Sequence, residues 1–423
     1  MNALDLLYIP LAILTAPAWI GKKRHGWASR FGNTPPLPPA KKRRVLLHAV
    51  SVGEVNALRP LVPLLGPHVE VVISTTTDTG LARATELFSA AATVVRYPLD
   101  FSWAVRRFLA AVNPDAVALI ELEVWPNFVR ACKRREIPIC IINGRLSERS
   151  AKGYHRIRSY FGRLLNDLTA VAVQDDDYAA RFKALGLAPE KLSITGSMKW
   201  DSVTVAGEAP VLAPGALELA YELGIDRTRP LIVAGSTGPG EEALLHAACP
   251  PEVQLLCAPR KPERFDEAAR ELPGCARRTL RPSGSPAGKP SDRFLLDTIG
   301  ELRKAYTLAD LVVVGRSFGD LYGSDPIEPI GLGKPTIIGP AVSDFAQVVK
   351  VFDDAGGIAR ATRASLPQLL RDLLTDAPRR RALVEKGRGA IRAQQGASQR
   401  HADLLLRLLA AAPGQSAQRS PGQ

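Results

Sequence analysis

The chain has 423 residues, 46% of them apolar, a size and composition that suit two or three domains with real cores. Its five cysteines form no C-x-x-C pair, which argues for a reduced compartment and against a metal cluster. The formal charge is +13, but only 6% of residues are aromatic and no nucleic-acid-binding motif is recognisable, so nucleic acid is excluded as the partner.

An apolar segment opens the chain, from Leu6 to Ile20, interrupted by Pro10 and Pro17. It is short of the roughly 20 residues a full span needs. Between Gly21 and Arg44 follow eight Lys or Arg and no acid. Positive charge after the segment suits anionic headgroups and a body held on the cytoplasmic side. Residues 1–24 are therefore predicted to be a hydrophobic membrane anchor with a basic flank, which spans or lies in the interface. A buried N-terminal helix of the globular body is the competing reading.

After a Pro-rich joint, strand and helix patterns alternate. Apolar strands are predicted at Val45–Val50, Val69–Ser74, Thr93–Tyr97, Ala116–Ile120, Pro138–Ile142 and Thr169–Val173. A second series follows a Gly/Pro-rich stretch, at Leu231–Ala234, Val253–Ala258, Arg293–Leu296, Leu311–Val314 and Thr336–Ile338. Such alternation predicts α/β architecture with parallel sheets and crossover helices. Two series of similar length predict two Rossmann-like domains facing an interdomain cleft. The expected division is 25–205 for the first domain, 206–230 for a linker and 231–390 for the second. A C-terminal helix over 391–412 and a disordered tail over 413–423 complete it.

The first chemical candidate is Glu54, in His48-Ala49-Val50-Ser51-Val52-Gly53-Glu54-Val55. It lies past a strand end, beside a glycine, at a helix start. Ligands sit at that edge of parallel sheets, and a carboxylate there can take a proton from a hydroxyl. Glu54 can equally be an ordinary first-turn acid favoured by the helix dipole. In the second half, Gly235-Ser236-Thr237-Gly238-Pro239-Gly240-Glu241-Glu242 joins a strand to a helix and suits an anion, without being a P-loop. Arg260 and Lys261, then Asp297 to Leu302, then Gly315-Arg316-Ser317 and Gly323 to Glu328, stand at further strand ends. Asp175-Asp176-Asp177 looks like an acidic metal motif, but it also fits a helix start. No metal site is expected there.

Several of these segments together carry a family resemblance. "HAVSVGEV", "TTTDTG", "YPLDF", "ELEVWPN", "INGRLSERSAKGY", "ITGSMKWD", "APRKPERF", "DTIGEL" and "DPIEP" occur in collinear order over about 350 residues. In these the chain resembles the lipid A Kdo transferases, which move 3-deoxy-D-manno-octulosonic acid (Kdo). The resemblance implies a GT-B fold and an inverting transfer of Kdo from CMP-Kdo to a lipid A precursor, lipid IVA, in lipopolysaccharide synthesis. It implies work at the cytoplasmic face of the inner membrane, with its anionic lipid surface as a partner and no separate cofactor. By motif match, Glu54 takes the place of the proton acceptor, and Glu121 and Lys199 those of transition-state stabilisers. Pro259 and Arg260, then Ile299, Gly300 and Glu301, then Asp325, Pro326, Ile327 and Glu328, match nucleotide contacts. Departures fall on the donor half: Gly238 and Lys261 where the family usually has histidine, Arg316 in place of a glycine, and Ser324 and Asp325 in place of His and Asn. They leave two alternatives, a GT-B transferase with another activated sugar and a non-catalytic membrane-bound binding protein.

Overall fold

The computed structural model describes residues 2, 4–6, 8, 25–207, 212–280 and 291–411. The chain divides into two compact units, Met1–Ser202 with Gln394–Gln423, and Val203–Ala393.

The first unit is built on β1 (Arg44–His48), β2 (Glu70–Thr75), β3 (Thr93–Arg96), β4 (Ala116–Ile120), β5 (Ile139–Gly144), β6 (Ala170–Val173) and β7 (Leu192–Ile194). Their order in the sheet is β3-β2-β1-β4-β5-β6-β7, and every pairing is parallel. A parallel sheet is covered on both faces, so its strands read as unbroken apolar runs. Alternate side chains enter separate cores, Leu46, Val72, Val117 and Ile141 in one, Val45, Leu47, Ile73, Ala118 and Ile142 in the other. The last helix, Ala397–Ala411, joins the second of these cores through Ala402, Leu405 and Leu409.

The second unit repeats the plan. Its strands are β8 (Leu231–Thr237), β9 (Gln254–Pro259), β10 (Ala276–Arg277), β11 (Arg293–Leu295), β12 (Leu311–Val314), β13 (Thr336–Ile338) and β14 (Ala359–Arg360). They lie in the order β10-β11-β9-β8-β12-β13-β14, again all parallel. In the first sheet the chain builds outward from β1 through β2 to β3; in the second, β9 flanks β8, β10 takes the edge and β11 fills the place between β9 and β10. In both, the chain then returns to the first strand's other side. The reversal between β1 and β4, and between β8 and β12, makes a switch point. Loops diverge there, beyond the carboxyl ends of the strands, and leave room for a ligand.

Three expectations are corrected. The first is the membrane anchor. Among the described residues no helix is long and apolar enough to cross a membrane. The start of the segment is tied to the first unit instead. Asp5 is fully buried, and its carboxylate accepts from the Ser102 N–H at 2.8 Å and the Ser102 hydroxyl at 2.6 Å. That caps the helix Ser102–Val112. Described basic residues further on are also engaged within the first unit. Arg30 pairs with Asp78, Arg44 pairs with Glu70, and Arg43 donates to the Leu409 carbonyl. The anchor thus does not stand as a feature of the described fold; its residues 9–24 lie outside the described residues, as does the tail 413–423.

The second correction concerns the stretch 206–230, expected to be a linker. It contains the helix Ala216–Leu223, which buries Ala216, Leu219, Ala220 and Leu223. The third concerns the C-terminal helix. It is broken at Gly396, whose φ is 97°, into Ala377–Gln394 and Ala397–Ala411. Asp201 makes the break stable by accepting from the Gly396 and Ser398 N–H groups, both at 2.6 Å. The edge strands β7, β10 and β14 have only two or three residues, too few for a hydrophobic pattern.

Candidate active site

In the first unit, β1 leads into the helix Val52–Ala57, with Ser51 as its N-cap. The Ser51 hydroxyl faces the Glu54 N–H at 3.5 Å and donates to Glu54 Oε1 at 2.8 Å. Glu54 Oε2 accepts from the Val50 N–H at 2.8 Å. This is a reciprocal S-x-x-E cap. Glu54 is therefore a first-turn helix acid, and the same bonds fix its carboxylate at the ligand edge of the sheet. Burial pushes its pKa up to about 7, against the pull of the Val50 and Ser51 hydrogen bonds, with Glu121 and Glu123 adding negative charge. A carboxyl poised near neutrality suits proton abstraction.

Glu121 stands across the switch point, just after β4. Its φ is 60°, left-handed backbone at a non-glycine residue. Such a conformation costs on the order of 1–3 kcal/mol and persists only where its surroundings enforce it. Here the Glu121 N–H is held by the Ile142 carbonyl at 3.1 Å. Glu123, two residues on, is a third carboxyl that the sequence reading did not single out. Burial raises its pKa, the Trp125 indole N–H at 3.0 Å opposes this, and Glu121 raises it further. The spacing E-L-E in "ELEVWPN" was the available signal.

Lys199 belongs to the loop after β7. The preceding Met198 is fully buried and donates its N–H to Asn143 Oδ1, at the end of β5, at 3.0 Å. Asp201 anchors the other side of the loop on the last helix. Lys199 thereby sits on a loop drawn back toward the middle of the sheet's carboxyl edge.

A shifted pKa alone does not mark a catalytic group. Burial also pushes Asp100 up to about 7, yet its oxygens accept from the Asn127 and Phe128 N–H groups, both at 2.9 Å. Asp100 caps the helix Pro126–Arg134 and so ties "YPLDF" to "ELEVWPN". Asp175 likewise caps the helix Asp176–Ala184 by accepting from the Tyr178 N–H at 2.8 Å, the helix-start role.

In the second unit the matched residues stand at carboxyl ends of strands. Pro259 ends β9, and Arg260 and Lys261 follow it exposed. Ile299, 69% exposed, and Gly300, with φ 93°, lie on the loop after β11. Glu301 is half-buried; burial pushes its pKa up, but Thr298, Lys304 and Arg278 together bring it below the ordinary value. Asp325 accepts from the Ile327 N–H at 3.0 Å and starts the helix Ile327–Gly331, on which Pro326 and Ile327 are buried and Glu328 pairs with Arg303. Burial raises the pKa of the Tyr306 hydroxyl, Glu328 and Asp325 raise it further, and Arg260 lowers it, so one buried ring senses all three groups.

Two departures have a physical account. A Cβ on Gly238 would meet Leu321 Cδ1 at 2.5 Å and Arg316 Cγ at 3.4 Å, so those side chains fill the space beside it. Arg316 sits at φ 58°, a conformation glycine adopts without strain. One amide of the Gly235–Glu242 loop, expected to suit an anion, is already taken within the chain. The Gly238 N–H donates to Glu241 Oε2 at 2.8 Å.

Two Rossmann-like sheets, with candidate groups on the carboxyl edge of each, define a GT-B chain. The fold is shared with a solved glycosyltransferase from Rickettsia africae, at 11% identity and a TM-score of 0.59, over 88% of this chain and 100% of that one. A family profile described as "3-Deoxy-D-manno-octulosonic-acid transferase (kdotransferase)" matches residues 25–202. The chain is also similar to the 3-deoxy-D-manno-octulosonic acid transferase of Bordetella pertussis, 34% identical over 399 residues, 89% of this chain and 90% of that one. It is 30% identical to the enzyme of that name from Haemophilus influenzae over 416 residues, 95% of each chain. The chain belongs to the 3-deoxy-D-manno-octulosonic acid transferase family.

Proposed function

We propose that the chain transfers Kdo from CMP-Kdo to a hydroxyl of a lipid A precursor, with Glu54 as the general base. The acceptor oxygen bonds to the anomeric carbon of Kdo as the bond to the CMP phosphate breaks, with inversion. Glu54 takes the hydroxyl proton, and CMP leaves with the electron pair. The observation that carries this reading is the Glu54 carboxyl, fixed at the switch point and poised near pH 7.

Other roles follow residue by residue. Glu121 and Lys199 stabilise the charge that develops in the transition state, the strained Glu121 backbone serving to aim its carboxylate. Arg260 faces the donor's phosphate, for which its guanidinium fork is suited. The loops at Ile299 to Glu301 and Asp325 to Glu328 hold the nucleotide. Family membership suggests inner-membrane association, and a lipid acceptor brings the chain to the cytoplasmic face of that membrane.

Purified protein incubated with CMP-Kdo and a tetraacyl lipid A precursor tests the reading. Product is expected with the wild type. Glu54→Ala should give none while still binding CMP. Near-normal turnover in that variant removes Glu54 as the base, and product with a different activated sugar alone removes CMP-Kdo as donor.

A further inference from the structure

At the β8/β12 switch point, where the sheet rule places a ligand anion, an anion is already present, and it belongs to the chain. Glu241 opens the helix Glu241–Ala248 and is 1% exposed. Its Oε2 accepts from the Gly238 N–H at 2.8 Å and the Arg316 N–H at 2.6 Å. Its Oε1 accepts from the Ser317 N–H at 2.8 Å and the Phe318 N–H at 2.9 Å. Four backbone amides from two different strand ends converge on one carboxylate. Charge-assisted bonds of this kind are short and strong, and such a nest of amides is otherwise a site for phosphate.

The surroundings show what the carboxylate holds. A Cβ on Gly315 would lie 2.5 Å from Thr237 Cα, so the two turns are in backbone contact. Arg316, at φ 58°, accepts at its carbonyl from the Gly323 N–H at 2.9 Å. The Ser317 hydroxyl donates to the Val314 carbonyl at 2.6 Å and accepts from the Gly339 N–H at 2.8 Å. One side chain thus ties the turn after β8 to the turn after β12. Through Arg316 and Ser317 it also reaches the start of the Gly323–Glu328 loop and the end of β13.

We propose that Glu241 is a positioning residue for the donor site, an internal anion that folds the Gly315–Phe318 turn onto the β8 turn and so sets the Gly323–Glu328 loop. The role rests on the donor reading above. It explains how a carboxylate is tolerated near an anionic donor, since its lone pairs are spent on four N–H groups before a ligand arrives. Glu241 touches no reacting atom; it acts through the loop.

The test uses the full chain with Glu241→Gln and Glu241→Ala. Glutamine keeps the shape but turns an NH2 toward N–H donors, while alanine empties the nest. Hydrogen exchange in peptides covering residues 314–323 should accelerate at least tenfold in both variants, with first-unit peptides unchanged. The KM for CMP-Kdo should rise about tenfold or more, with the KM for the lipid acceptor within about twofold of wild type. Formate should restore exchange protection and donor KM in the alanine variant and not in the glutamine one. Unchanged exchange in Glu241→Gln overturns the tie, and equal rises in both KM values overturn the donor-specific role. If Glu241→Ala fails to fold, Glu241→Gln carries both readouts. A wild-type chain that does not use CMP-Kdo refutes the donor reading separately, and exchange in Glu241→Gln then decides the tie alone.

Discussion

The dependence of transfer on pH follows directly from the environment of Glu54. Only its ionised form can accept the acceptor's proton. Burial and the charges of Glu121 and Glu123 hold its pKa at about 7, where an ordinary glutamate has 4.5. Turnover should therefore fall as pH drops through about 7 and level off above it. At pH 5 a group of pKa about 7 is roughly 1% ionised, against about half at pH 7, so kcat/KM should fall about fiftyfold between the two. With an ordinary glutamate, about three-quarters would still be ionised at pH 5, and the loss would be less than about a third. The difference is large enough to decide the matter. Initial rates with CMP-Kdo and a detergent-dispersed acceptor, at subsaturating donor, give the profile. Glu123→Gln removes a negative neighbour and should move the acid limb to lower pH, and Ser51→Ala removes an opposing hydrogen bond and should move it higher. A limb below about pH 5 in the wild type, or one indifferent to Glu123, would refute this account of the base.

Glu54 should also leave a mark on stability. Its folded pKa lies above its unfolded value, so ionisation disfavours the folded state; the cost is absent below about pH 4.5 and complete above about pH 7. Glu54→Gln should thus be more stable than wild type at pH 8 by on the order of 1–2 kcal/mol, after a discount for solvent screening, and show little gain at pH 4 by urea titration. Glu121→Gly should relieve the φ of 60° and raise stability by about 1 kcal/mol while transfer is lost; a fall in melting temperature would speak against stored strain. Asp201→Ala should cost about 1–2 kcal/mol by removing the cap of the last helix, and should lower kcat because the Lys199 loop loses an anchor; unchanged kcat would detach that loop from catalysis.

Much of the fold was legible because parallel strands announce themselves. Ala116–Ile120, Leu311–Val314 and Thr336–Ile338 are apolar runs with the same bounds in sequence and structure. Edge strands such as β14 bury too little to leave a pattern. The break at Gly396 was hidden because it depends on Asp201, nearly two hundred residues earlier, whose carboxylate makes the interruption affordable. The N-terminal segment misled for a related reason. Apolar composition states that a segment leaves water, not where it goes, and Asp5 commits its start to the Ser102 cap. At the site, the resemblance singled out Glu54, in a helix's first turn just past a strand end, and Glu121 and Lys199, which follow strands. It passed over Glu123 and Glu241, whose importance lies in what folding brings beside them.

Both units reverse direction at their first strand and treat the carboxylate at that switch point in opposite ways. In the first unit Glu54 receives one backbone N–H and one hydroxyl, is flanked by two further acids, and remains partly exposed. Stabilisation of the anion is incomplete, as the base proposed here requires. In the second unit Glu241 receives four N–H groups and is closed off from solvent. Its lone pairs are committed to four N–H groups, which suits it to organising a loop. The same residue type just past the first strand, within the first turn of the following helix, can therefore serve chemistry or architecture. The number of amides that the neighbouring strand end turns toward it separates the two outcomes. Just after β4 stands the strained Glu121, an acid that raises the charge cost at Glu54. Just after β12, Arg316, Ser317 and Phe318 turn their N–H groups toward Glu241 as donors. The returning strand, more than the motif around the glutamate, decides which role each carboxylate takes.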